Sequence, residues 1–339
     1  FFIQLQLITK NLIRKHKIKG LPFENVGENF NNFYKNHLPF DLTNAQKRVL
    51  KEIRNDLGSN AQMNRLLQGD VGSGKTIVAL MCMLLAKDNG FQSCLMAPTE
   101  ILANQHFNGI SELAKELNIN IKILTGSTKT SDRKIIHEAL ENGSLDIIIG
   151  THALLEDKVQ FHNLGLAVID EQHRFGVKQR QELLKKSEHM PHLLAMTATP
   201  IPRSLALTVY GELDISILNE LPKGRLPIAT KIWSPNSRAQ LYTLVDTEIT
   251  KGRQAYVICS LIDDNPENDI KSVQAEYKKL QNSVFKHRRI GLLHGKMAPA
   301  EKAAVMQDFA QGNLDILVST TVVEVGVDVP NATVMVIED

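Results

Sequence analysis

The chain has 339 residues, 43% hydrophobic and 22% charged, with a formal net charge of +2. That is the balance of a globular protein of about two domains. It excludes a chain basic throughout, but a local basic track suited to nucleic acid remains open.

Residues 1–40 read as a linker helix and connector. Phe1, Leu5, Ile8 and Leu12 share one helical face, and Lys10, Arg14, Lys15, Lys17 and Lys19 follow. Such a helix is either a solvated linker or a nucleic-acid contact. No basic region precedes FFIQLQLI, so it is not expected to be a signal peptide. With no initiator Met, the chain reads as a fragment that begins partway into a gene product. GLPFENVGENFNNFYKNHLPFDLT is a polar connector punctuated by Gly and Pro.

From about residue 42, short β-rich apolar runs alternate with helical stretches. NRLLQG, SCLMA, IKILTG, LDIIIG, LAVID and HLLAM predict the strands of a parallel sheet covered by helices. IVALMCMLLA, the longest apolar run, is roughly half the ~18 residues a membrane span needs. LPKGRLP, Leu221–Pro227, breaks the rhythm and sets a boundary between domains 41–222 and 223–339. The alternation restarts with IATKIW, QAYVICS, IGLLHG, LDILVST and TVMVIE. Cys82, Cys94 and Cys259 lie apart in apolar segments, the placement of reduced buried thiols, and no structural metal is expected.

GDVGSGKT, Gly69 to Thr76, matches G-x-x-x-x-G-K-[ST] between a predicted strand and a predicted helix. In that context Gly72, Ser73 and Gly74 let backbone amides wrap phosphate oxygens at a helix N-terminus. Lys75 supplies a point charge to the β- and γ-phosphates, and Thr76 offers a hydroxyl to Mg²⁺. Asp170 and Glu171 end the apolar run LAVID, where a central strand would deliver them beside the loop. Asp170 is expected to hold Mg²⁺ through water and Glu171 to activate the attacking water. Gln172 and His173 follow at once, and Thr197 and Thr199 end another apolar run in MTATP. Their hydroxyls are expected to bond Gln172 or His173, making a relay between the γ-phosphate and a moving part. The alternative for the threonines is plain helix capping.

LLQGDVGSGKT, MAPTEILANQH, GTHALL, VIDEQHRFG, MTATPIPRSLA and VSTTVVEVGVDVPNATVMVIE resemble consecutive motifs of superfamily 2 helicases. Their wording is similar to the RecG family of branch-migration helicases, over nearly the whole chain. Ser73 and EQHRFG favour that family over the related transcription-repair coupling translocases, which stay the alternative, and the primosomal helicases resemble the chain less because they lack the RFG continuation. The resemblance implies two RecA-like α/β motor domains that bind ATP between them and track DNA. It implies remodelling of stalled forks and Holliday junctions in a bacterial cytoplasm, at the nucleoid, by a monomer. It implies that Gln46 reads adenine and that Thr99, Glu100, Thr125, Gly126 and Thr151 approach the DNA backbone. It further implies that Thr320, Glu324, Gly326 and Asp328 touch both nucleic acid and nucleotide.

Two family features are expected to lie outside the chain: a wedge domain before Phe1 and an arginine motif after Asp339. Arg253, Arg288 and Arg289 precede predicted strands, the wrong end of the sheet for reaching a γ-phosphate. Weak ATP binding and almost no DNA-stimulated hydrolysis are therefore expected of the chain by itself. The rival readings are another P-loop phosphotransferase and a non-enzymatic product that only binds nucleotide or DNA.

Overall fold

The computed structural model describes residues 19–187, 189–199, 213–220, 228–259, 266–320 and 329–338. The first eighteen residues of the expected linker helix, the boundary at Leu221–Pro227, and Glu324, Gly326 and Asp328 lie outside them. The chain divides into two compact units, Phe1–Arg225 and Leu226–Asp339.

In the first unit, Thr43 caps helix α1 (Asn44–Leu57) through a capping box closed by Gln46. Ala45, Val49, Ile53 and Leu57 recur four apart and bury one face of that helix. Strand β1 (Asn64–Gly69) runs into the phosphate loop, and helix α2 (Lys75–Asp88) leaves it. Every residue from Ile77 to Ala86 is buried, because α2 is covered on all sides. Among the described residues no helix is long and apolar enough to cross a membrane. The connector docks on the far end of α2: the Asp88 carboxylate accepts the Asn29 and Phe30 N–H groups, each at 3.0 Å.

Then follow β2 (Gln92–Met96), α3 (Glu100–Leu113), β3 (Ile121–Leu124), α4 (Thr130–Glu141), β4 (Ile147–Gly150) and β5 (Leu164–Ile169). Helix α5 (Val177–Leu184), β6 (His192–Thr197) and β7 (Asp214–Leu218) complete the unit. The seven strands pair in the order β3-β4-β2-β5-β6-β1-β7, and every pairing is parallel. β2, β4, β5 and β6 are buried at every position, the signature of central parallel strands. Burying Leu66 and Leu67 of β1 stabilises the sheet by about 1.5–3 kcal/mol each.

The second unit contains α6 (Arg238–Thr250), β8 (Gln254–Cys259), α7 (Pro266–Lys279), β9 (Ile290–Leu293), α8 (Pro299–Ala310), β10 (Ile316–Thr320) and β11 (Ala332–Glu338). Its strands run parallel in the order β11-β8-β10-β9, over a core that includes Val257, Phe285, Ile316 and Val318. IATKIW is not a strand. No strand lies beside it among the described residues, and Ile228 and Ile232 are exposed. Its alternating pattern meets the side-chain rule for a strand, but a ladder also needs a partner.

Candidate nucleotide site and nucleic-acid edge

β1 and β5 are separated only by β6, so their C-terminal ends stand roughly 10 Å apart at ordinary strand spacing. The phosphate loop and the carboxylates therefore open on one edge of the sheet. Gly72 and Gly74 adopt φ of 77° and 87°, which a side chain would strain. A Cβ at Gly74 would also stand 2.2 Å from Gln46 Nε2. At Gly69, a Cβ would press on the buried Ser73 hydroxyl and on Leu218.

Gln46 is wholly buried, and its amide is engaged within the protein. Nε2 donates to the Ser73 carbonyl at 2.9 Å, and Oε1 accepts the Thr43 N–H at 2.9 Å. It thus ties the α1 cap to the phosphate loop. Gln46→Ala would leave both partners unbonded and should cost about 2 kcal/mol, read from urea unfolding. A change below about 0.5 kcal/mol would show that the strut carries no weight.

Lys75 Nζ donates to the Gly69 carbonyl at 2.7 Å and to that of Asp70 at 3.1 Å. Burial lowers its pKa, while Asp170, Glu171 and Asp70 oppose the shift. The ammonium is thus within electrostatic reach of both β5 carboxylates. Thr76 lies half-buried in the first turn of α2.

Asp170 and Glu171 are both buried. Asp170 Oδ1 accepts the Glu171 N–H at 3.0 Å, and His106 Nε2 stands 2.7 Å from its Oδ2. Glu171 has φ of 46°, the one non-glycine residue with positive φ among those described. Its Oε1 accepts the Ala198 N–H at 3.2 Å, and His173 Nδ1 stands 3.4 Å from Oε2. Thr197 Oγ1 lies 3.5 Å from that oxygen, a weak contact, and 2.9 Å from Thr199 Oγ1. The threonines therefore meet Glu171 and each other, not Gln172 or His173. β6 ends between β1 and β5, which turns Thr197 toward the Glu171 carboxylate. Gln172 is buried with both amide atoms unbonded among the described residues.

Burial first, and then the like charge of Asp170, push the Glu171 carboxyl above the usual range. The folded state then holds that proton more tightly than the unfolded chain does. Its contribution to stability is fully present below the ordinary carboxylate pKa and is lost as pH rises through the raised folded value. In nucleotide-free protein, Glu171→Gln should flatten that limb of a plot of urea midpoint against pH. Equal slopes in the two proteins would remove Glu171 as its source.

The other half of the same edge belongs to β3, β4 and β2. Thr99, Thr125 and Thr151 follow β2, β3 and β4 and so come together there. Thr99 caps α3. Thr125 and Thr151 are buried, whereas Gly126 is exposed. Thr125 Oγ1 donates to Glu100 at 2.8 Å, and Ser127 Oγ donates to the same oxygen. Arg133 braces this loop by donating to the Thr125 carbonyl at 2.7 Å and the Thr128 carbonyl at 3.1 Å. Thr320 ends β10, buried, with its hydroxyl unbonded among the described residues. His106 and Arg133 had not been singled out in the sequence; His106 stands inside the motif ending ANQH, but its partner is 64 positions away.

Among the described residues no group of three or more His, Cys, Asp or Glu side chains could hold a metal by itself. One buried carboxylate beside a phosphate loop fits magnesium, which is usually held by one or two carboxylates together with substrate phosphates.

A phosphate loop and a paired-carboxylate strand tip on one parallel sheet, followed by a second parallel-sheet unit, define a tandem RecA-like helicase motor. The DEAD/DEAH box helicase family matches residues 43–208, and the helicase conserved C-terminal domain matches residues 237–339. The ATP-dependent DNA helicase RecG of Aquifex aeolicus is 49% identical over 341 aligned residues, covering 100% of this chain and 42% of that relative. RecG of Staphylococcus aureus strain Mu50 is 49% identical over 340, again covering 100% of this chain and 49% of the relative. A solved structure of RecG bound to a three-way DNA junction matches with a TM-score of 0.83 at 43% identity, over 98% of this chain and 44% of that one. Yeast Dbp5 bound to RNA and ADP BeF3 shares the fold, with a TM-score of 0.66 at 18% identity over 93% of this chain and 79% of that one. The chain belongs to the RecG family of helicases, and it spans about half the length of the curated relatives it matches.

Proposed function

We propose that the chain is the ATP-driven motor of a DNA helicase that remodels forks and Holliday junctions. The observation that carries this reading is the meeting of Lys75, Asp170 and Glu171 at one sheet edge, with the Thr99, Thr125 and Thr151 turns along the same edge. Gly69, Gly72, Ser73 and Gly74 form the phosphate cradle, and Lys75 neutralises the β- and γ-phosphates. Thr76 and Asp170 hold Mg²⁺, which draws charge from the phosphate oxygens. Glu171 takes the proton of the attacking water. Gln46 supports the phosphate loop from beneath and sets the position of the loop for the nucleotide. DNA phosphate meets the exposed Gly126 turn and the start of α3, while the buried Thr125 and Thr151 shape that surface. Gln172, His173, Thr197 and Thr199 couple the state of Glu171 to DNA, and Thr320, Glu324, Gly326 and Asp328 are the second unit's residues for nucleotide and nucleic acid.

Turnover by this chain alone is slow in this reading. Arg253, Arg288 and Arg289 precede β8 and β9, at the N-terminal end of the second sheet. Arg288 is held by Asp246 at 2.8 Å and Arg289 by Asp315 at 2.6 Å. Arg238 stands at the opposite end, closed on Glu338 and 3.9 Å from Glu276. An arginine that reaches the γ-phosphate is worth ~10³ to 10⁵ in rate.

The test measures fork binding by fluorescence anisotropy, with single-turnover ATP cleavage in the same samples. Tighter binding to a fork than to linear duplex, together with ATP binding and slow cleavage, is the supporting result. ATP binding with no affinity for any DNA would overturn the helicase reading in favour of another P-loop enzyme.

A further inference from the structure

The two halves of the sheet edge meet at β2, which pairs with β4 on one side and β5 on the other. α3 leaves β2 at this border and touches both halves. Its first residue, Glu100, grips the 125–127 turn through Thr125 and Ser127. Six residues on, about 9 Å along the axis, His106 reaches Asp170 Oδ2 at 2.7 Å. A carboxylate only accepts, so the ring nitrogen donates. The Glu171 N–H holds the other oxygen at 3.0 Å. Without the ring, the Asp170 carboxylate would turn about a broad, nearly two-fold torsion. With it, both oxygens are fixed and each keeps a lone pair for another partner.

We propose that His106 is a positioning residue: it sets the Asp170 carboxylate to receive the magnesium ion of a bound nucleotide and ties that carboxylate, through one rigid helix, to the turn gripped by Glu100. This rests on the assignment of Asp170 to the metal and of the 125–127 turn to DNA. Groups that orient a metal-binding side chain typically cost 10- to 100-fold in metal affinity when removed. The α3 link adds a consequence: DNA seated on the Gly126 turn alters how readily Asp170 takes magnesium.

The test titrates Mg²⁺ into the 339-residue chain with the fluorescent analogue mant-ATP. His106→Ala should raise the half-saturating Mg²⁺ about 10-fold and leave binding in EDTA unchanged. His106→Gln, whose amide N–H can reach the same oxygen, should restore most of the loss. Equal Mg²⁺ dependence in His106→Ala and the parent would overturn the proposal, as would an equal loss of binding in EDTA. Asp170→Asn separates the two levels of the argument: if it leaves the Mg²⁺ requirement unchanged, the metal assignment itself is wrong. Forked DNA should shift the half-saturating Mg²⁺ of the parent but not of His106→Ala. The same shift in both, or none in the parent although the fork binds, would overturn the link through α3. A parent that binds no fork fails the DNA assignment instead.

Discussion

Glu171→Gln should bind Mg-ATP as tightly as the parent and cleave it at least about 100-fold more slowly. The amide keeps the shape of the side chain and its acceptor oxygen, so the 3.2 Å bond from the Ala198 N–H survives. What disappears is the base. Burial and Asp170 raise the affinity of Glu171 for a proton, as a group that must take one from water requires. His173 Nδ1 at 3.4 Å and Thr197 Oγ1 at 3.5 Å stand beside the same carboxylate oxygen. Single-turnover cleavage within about threefold of the parent, with binding intact, would take the role away from Glu171.

Lys75→Ala should weaken Mg-ATP binding by about 10- to 100-fold, as the loss of one charge-assisted phosphate contact implies. The glycines and the α2 N-terminus remain, so binding falls without vanishing. The ammonium also bonds the Gly69 and Asp70 carbonyls, so the variant should lose a little stability through a looser loop. Isothermal calorimetry on parent and variant decides it. Equal affinities would mean that the nucleotide does not sit on this loop.

Much of the first unit was legible because its signals are local. The run from Gly69 to Thr76 fixes a strand, a turn and a helix in eight adjacent residues, and LAVIDE ends in its own two carboxylates. The contacts that tune the site are not local. His106 meets Asp170 because β2 and β5 are neighbours, a fact of strand order rather than of spacing. Thr197 faces Glu171 because β6 ends between β1 and β5, which moved its partner away from Gln172 and His173. Gln46 closes a helix cap and grips the phosphate loop with one amide, a double role that residue type alone does not reveal. β7 (DISIL) was absent from the predicted strands: it is short, begins with Asp, and is a strand by virtue of its pairing with β1. IATKIW failed in the opposite sense, with the right pattern and no neighbour.

The left-handed backbone of Glu171 reaches beyond catalysis. Residues other than Gly, Asn and Asp are uncomfortable there, and a buried acid beside another acid is a second discomfort at the same atoms. The substitution Glu171→Asn would relieve both, with no base left to activate water. A library of this protein selected for heat resistance alone would drift toward that substitution, and its most robust survivors would lack the carboxylate that the proposed mechanism needs. On the proposed assignment, thermostability and turnover compete at a single turn of chain, so any selection that aims to harden this protein has to score ATP hydrolysis in the same round.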